Sequence, residues 1–114
     1  MRRDADHLRD ILTANEAVAR FLAGVDRAVF LCDELRQDAV ARRLTIVGEA
    51  AGRLSAELRE RIPELDWPRV VSFRNLVVHS YFAIDWEIVW TVATRDLPEL
   101  AARIEPVLAR EAPP

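Results

Sequence analysis

The sequence predicts an all-α fold, an antiparallel bundle of four main helices plus a short one, and three observations predict it. Apolar residues recur at spacings of three and four along most of the chain. Aspartates stand just ahead of the periodic runs, where helices take their N-caps. There are three glycines and no repeat, low-complexity tract or Gly/Ser linker, so short connections must join neighbouring helices. At 114 residues and 51% apolar content, residues 1–112 fit one domain with a modest core that needs no staples, and residues 113–114 form a tail.

Taken in order, Asp4 or Asp6 starts a first helix in which Leu8, Ile11, Asn15, Val18 and Leu22 recur, with Gly24 as its stop. A short turn or helix runs from Asp26 to Cys32. From about Asp33 to Arg61 the chain reads as one long helix, with Val40, Leu44, Val47, Ala51, Leu54 and Leu58 alternating at four and three. Within it Gly48, Ala50, Ala51 and Gly52 are small enough to let a neighbouring helix approach closely, at a propensity cost of up to about 1 kcal/mol per glycine. Pro63 ends this helix, and Asp66-Trp67-Pro68 supplies a cap and a first-turn proline for the next, which begins near residue 67. Asp85 caps a last helix carrying Trp86, Trp90, Ala93, Leu97, Leu100, Ile104 and Val107. Pro98 should kink or divide that helix, with Asp96 and Glu99 placed to cap the restart.

Composition narrows the function. The net charge is -3, so any nucleic-acid contact must come from a local basic cluster. All 16 basic residues are arginine, which points first to genome composition, although each guanidinium still offers a planar fork suited to phosphate. No apolar stretch reaches the roughly 20 residues of a membrane span and no signal core follows Met1, so a cytoplasmic protein is expected. Cys32 has no second cysteine and reads as a small packed hydrophobe. His7 reads as a surface or capping residue. Glu49 either pairs with an arginine of another helix or faces solvent. The acidic residues Asp4, Asp6, Asp10, Glu34 and Glu49 show no metal-ligand spacing, and no metal or cofactor is expected.

The stretch RNLVVHSY, residues 74–81, is the anomaly. On an otherwise apolar helix it carries Arg74, Asn75 and His79. In an ideal helix Arg74 and His79 differ by about 7.5 Å of rise and roughly 140° of rotation, so they converge only if the arginine folds over or the helix ends near His79. One reading is structural: His79 complements the helix dipole, Arg74 pairs with a carboxylate and Tyr81 packs. The other is a metal-independent phosphodiester site in which His79 moves protons, Arg74 binds the phosphate and Asn75 orients either.

The pattern Arg74, four residues, His79, one residue, Tyr81 closely resembles the signature of HepT-like toxins of the HEPN superfamily. The stretches IVGEAAGRLS, LDWPRVVSFRN and DWEIVWTVATRDLPEL extend the likeness, which runs from the first helix to about residue 108. The resemblance implies a homodimeric endoribonuclease toxin of a type VII-like toxin–antitoxin system, with Arg74, His79 and Asn75 catalytic. It further implies an MntA-like nucleotidyltransferase antitoxin that transfers AMP to Tyr81, placing bulk and negative charge two residues from His79. Arg42, Arg43 and Arg69 are the candidate RNA-binding residues beside Arg74. The alternative from another class is a non-catalytic helical partner subunit of a nucleotidyltransferase.

Overall fold

The computed structural model describes residues 3–78 and 84–111, and every regular element among them is helical. Helix α1 spans Asp4–Phe21 and begins where the Arg3 amide donates to the Asp6 carboxylate. It ends ahead of Gly24, whose φ of 73° is the left-handed conformation that lets the chain turn back. Asp26 caps the single turn α2, Arg27–Phe30, and Asp33 caps α3, Glu34–Gly52.

Helices α1 and α3 run antiparallel along most of their lengths, tied at both ends. At one end Arg36 Nε donates to the Phe21 carbonyl; at the other, the Asp4 carboxylate accepts from both the Ser55 amide and the Ser55 hydroxyl. Leu8, Ile11, Ala14 and Val18 of α1 meet Val40, Leu44, Val47 and Ala51 of α3 in the core, all essentially inaccessible to water.

The long helix expected from Asp33 to Arg61 is two helices. Helix α3 stops at Gly52, the amides of Arg53 and Leu54 donate three residues back, and Ser55 caps a new turn, α4, Ala56–Glu60. The Asp4 carboxylate explains the break, because it captures the Ser55 hydroxyl and amide at the point where an uninterrupted helix would need that amide inside its own ladder. The bend still turns Leu54 and Leu58 inward, so the apolar pattern survives while the helix does not.

Asp66 caps α5, Trp67–Ser72, with Pro68 in its first turn as expected. Buried Trp67 locks this start by donating its indole N–H toward the carbonyls of Arg59 and Ile62. The chain then tightens: the amides of Phe73, Arg74 and Leu76 bond three residues back rather than four, and a separate turn, α6, follows at Asn75–Val78. The motif segment is therefore broken at Arg74.

Asp85 caps α7, Trp86–Thr91, through the amides of Glu87 and Ile88. A π-helical turn at Val92–Asp96 joins it to α8, Leu97–Glu111. The division expected from Pro98 is thus made one turn upstream. The wider turn accommodates a ring that would otherwise meet the carbonyl of Thr94, and Pro98 itself sits in the first turn of α8. Asp96, expected to cap the restart, gives its carboxylate to Arg69 instead. Phe30 of α2 packs on Trp90 at 5.3 Å and edge-on to Trp86 at 6.3 Å, fastening α7 to the rest of the core.

Two side chains depart from expectation. His7 is buried in the core face of α1, and its Nδ1 has no hydrogen-bond partner among the described residues, so it is neither a surface nor a capping residue; its position one turn ahead of Ile11 on the core stripe puts it there. Cys32 is exposed, because α2 ends at Phe30 and it is Phe30 that enters the core.

Candidate active site

Among the described residues the motif contributes Arg74 and Asn75, both exposed; His79 and Tyr81 lie outside them. The placement of Arg74 is set by α3. A Cβ built at Gly48 would stand 2.5 Å from the Arg74 amide nitrogen, 2.9 Å from the Arg74 Cβ and 2.9 Å from the Val71 carbonyl oxygen. Only a residue without a side chain lets the two backbones come this close. One turn further along α3, a Cβ at Gly52 would be 3.6 Å from Arg74 Nη1, an ordinary contact. The guanidinium therefore extends along the flank of α3, over a glycine, and among the described residues it makes no hydrogen bond or ion pair. An arginine held by its backbone, with a guanidinium that no described carboxylate pairs, can receive an anion without first giving up one of those carboxylates.

The other basic residues singled out in the sequence are placed differently. Arg69 donates to Asp96 through Nη2 at 2.6 Å and Nε at 3.2 Å, tying α5 to the π-helical turn. It stands between a cleft of about 190 Å³ that includes Asp66, Phe73 and Asp96 and a second hollow edged by Asp85 and Glu87. Its surroundings are thus acidic. Arg43, at the middle of α3, lies over the Phe21 ring at 5.7 Å to the centroid. Arg42 is exposed on α3, rotated about 120° from Gly48 at 100° per residue, and Glu49 is exposed on the same side. The structure brings Arg74 onto Gly48 and Gly52; among the described residues no hydrogen bond or ion pair links Arg42, Arg43 or Arg69 to the same partners.

The geometry also shows a residue that periodicity alone did not assign to the site. Gly48 was legible as a small residue permitting close approach, but its partner, the Arg74 backbone, depends on how α5 crosses α3.

The sequence model described as ribonuclease HepT-like matches residues 11–107, which include α3, the Arg74 turn and both halves of the last helical region. The chain belongs to the ribonuclease HepT-like family. Within that family it is 33% identical over 98 residues to a Methanocaldococcus jannaschii protein provisionally named as an RNase, covering 86% of this chain and 90% of that one. It is 33% identical over 104 residues to a Thermococcus cleftensis protein provisionally named ribonuclease HepT, covering 91% and 94%. A Caldanaerobacter subterraneus relative, also provisionally named as an RNase, is 28% identical over 111 residues, 97% of this chain and 99% of its own. No solved structure matches the chain significantly. This HepT-like chain has no helix, among the described residues, long and apolar enough to cross a membrane.

Proposed function

We propose that this protein is a metal-independent endoribonuclease that cleaves RNA with Arg74 and His79, assisted by Asn75. The observation that carries the reading is the Arg74 guanidinium, laid against α3, exposed and unpaired among the described residues, in a chain of the ribonuclease HepT-like family. In the proposed step the His79 imidazole takes the proton from a ribose 2′-hydroxyl. The 2′-oxygen bonds to phosphorus, the bond from phosphorus to the 5′-oxygen breaks, and an imidazolium or water protonates the departing oxygen. Arg74 balances the charge that grows on the non-bridging oxygens. The products are a 2′,3′-cyclic phosphate and a 5′-hydroxyl.

Two further parts of the proposal follow from the family. The chain acts as a homodimer, so that two copies of Arg74 and His79 surround one strand. A nucleotidyltransferase antitoxin silences it by AMP transfer: the Tyr81 hydroxyl bonds to the α-phosphorus of ATP and pyrophosphate departs. The adenylate would then repel the RNA backbone two residues from His79. Arg42 is open to phosphate as it stands, whereas Arg69 and Arg43 would have to exchange Asp96 and the Phe21 ring for it.

The test is RNA cleavage in EDTA by purified protein whose intact mass excludes an adenylate on Tyr81, with wild type, Arg74→Ala and His79→Ala compared and product ends mapped. Cleavage by wild type alone, leaving cyclic phosphate, is the expected result. Equal cleavage by all three sinks the residue assignment, and no cleavage by folded wild type sinks the activity.

A further inference from the structure

We infer that Gly48 is a positioning residue for Arg74, so that α3 rather than the motif helix itself determines where the phosphate-binding guanidinium stands. This rests on the reading of Arg74 as the phosphate-binding group and goes beyond it by naming what places that group.

Three observations converge. The contact at Gly48 is with backbone, the Arg74 amide and the Val71 carbonyl, together with the Arg74 Cβ, none of which can swing aside as the tip of a side chain can. It falls at the point where the motif segment leaves α-helical bonding: the Arg74 amide makes a long 3.4 Å bond to the Val71 carbonyl, and α6 starts anew at Asn75. The turn that presents Arg74 is thus not stiffened by its own helical ladder and needs an outside surface to define it. The third observation is the course of the side chain itself, with Nη1 above Gly52 one helical turn from Gly48. The backbone of Arg74 is therefore gauged by one glycine and its tip is laid over another on the same flank of α3. The approach at Gly48 is about 1 Å closer than the 3.4 Å at which ordinary van der Waals contact begins, so any side chain there moves the Arg74 turn outward by a comparable distance.

A displacement of that size at a charge-stabilising group costs far more in the chemical step than in binding, because the phosphate can still be held but not in the geometry of the transition state. The experiment measures steady-state RNA cleavage by wild type, Gly48→Ala, Arg74→Lys and the double variant, with Ile11→Val as a control for destabilisation remote from the site. Gly48→Ala is expected to lower kcat by about 10- to 100-fold while KM changes by less than about threefold. In the Arg74→Lys background the same alanine should cost much less, because the group it misplaces is already gone. Ile11→Val should keep its kcat at temperatures below its melting transition. Undiminished kcat in Gly48→Ala, or an equal loss in both backgrounds, overturns the inference.

If Gly48→Ala does not fold, Gly52→Leu tests the same idea from the other glycine, since its side chain occupies the bed of the guanidinium without meeting the Arg74 backbone; unchanged kcat there also overturns it. If unmodified wild type cleaves no RNA, the nuclease reading fails separately, and a crystal structure of Gly48→Ala decides the positioning. An Arg74 turn that has not moved overturns the inference, and one displaced outward by about 1 Å sustains it.

Discussion

Phe30 is the joint at which the helices on the two sides of the motif segment meet, and its removal makes a quantitative test of the packing. It is fully buried, lies 5.3 Å from the Trp90 ring and 6.3 Å from Trp86, and its carbonyl accepts from the buried Gln37 side chain. Truncating a buried phenylalanine to alanine costs about 3–5 kcal/mol through lost transfer energy and the cavity left behind. Against a total stability on the order of 5–15 kcal/mol, that is a large fraction, and for a chain of this size it corresponds to a fall in Tm of about 12–20 °C. The assay is urea unfolding followed by tryptophan emission, because two of the three tryptophans report directly on this ring. Phe30→Ala should lower the midpoint with little change in the slope and shift the native emission, and Phe30→Leu should recover most of the loss. A double-mutant cycle with Trp90→Ala should show coupling of about 0.5–1.5 kcal/mol. A loss below about 1 kcal/mol in Phe30→Ala, or native emission identical to wild type, would refute the argument that α2 fastens α7.

Ser55→Ala removes both the cap of α4 and the hydroxyl that Asp4 accepts, and should cost about 0.5–2 kcal/mol in chemical unfolding. His7→Leu removes a buried nitrogen without a hydrogen-bond partner among the described residues, and should leave stability unchanged or raise it by about 1 kcal/mol; a clear loss would mean that His7 makes an essential polar contact. The backbone and side-chain hydrogen bonds from Arg36 hold the Asp33 carboxyl below its ordinary value of 3.8. Because the folded value is the lower one, the stabilisation is present above 3.8 and disappears as pH falls through the folded value. Asp33→Asn should therefore flatten the acid dependence of Tm in that range and lower Tm slightly near neutrality, where the stabilisation it lacks is fully present. Arg69→Gln breaks an exposed ion pair with Asp96 and should change stability by about 1 kcal/mol or less; a larger loss in urea unfolding would show that the pair carries more of the α5 attachment than its exposure allows.

The helical class and the N-caps at Asp66 and Asp85 were legible in the sequence because each depends on residues within a turn of one another. So was the alternation that buries Val40, Leu44 and Val47, and so was the family, through the order of Arg74, His79 and Tyr81 with their flanking segments. What periodicity misjudged was continuity. The stripe through Leu54 and Leu58 reads as one helix, yet Asp4, 51 residues away in sequence, takes the Ser55 donors and divides it. His7 and Cys32 were misplaced for a related reason: burial at the edge of a stripe depends on which neighbour covers it.

The sequence by itself determined that this chain is helical, where most of its helices begin, and to which family it belongs, since propensity, capping and residue order are read along the chain. Only the tertiary structure decided how the motif arginine is held. Gly48 is merely a poor helix former until α5 crosses it, and then it becomes the surface against which the Arg74 backbone rests. Arg69 and Arg74 are equivalent cations on one short segment until the fold gives the first to Asp96 and lays the tip of the second above Gly52. Contacts between distant segments make that distinction, and no local pattern of residues encodes them.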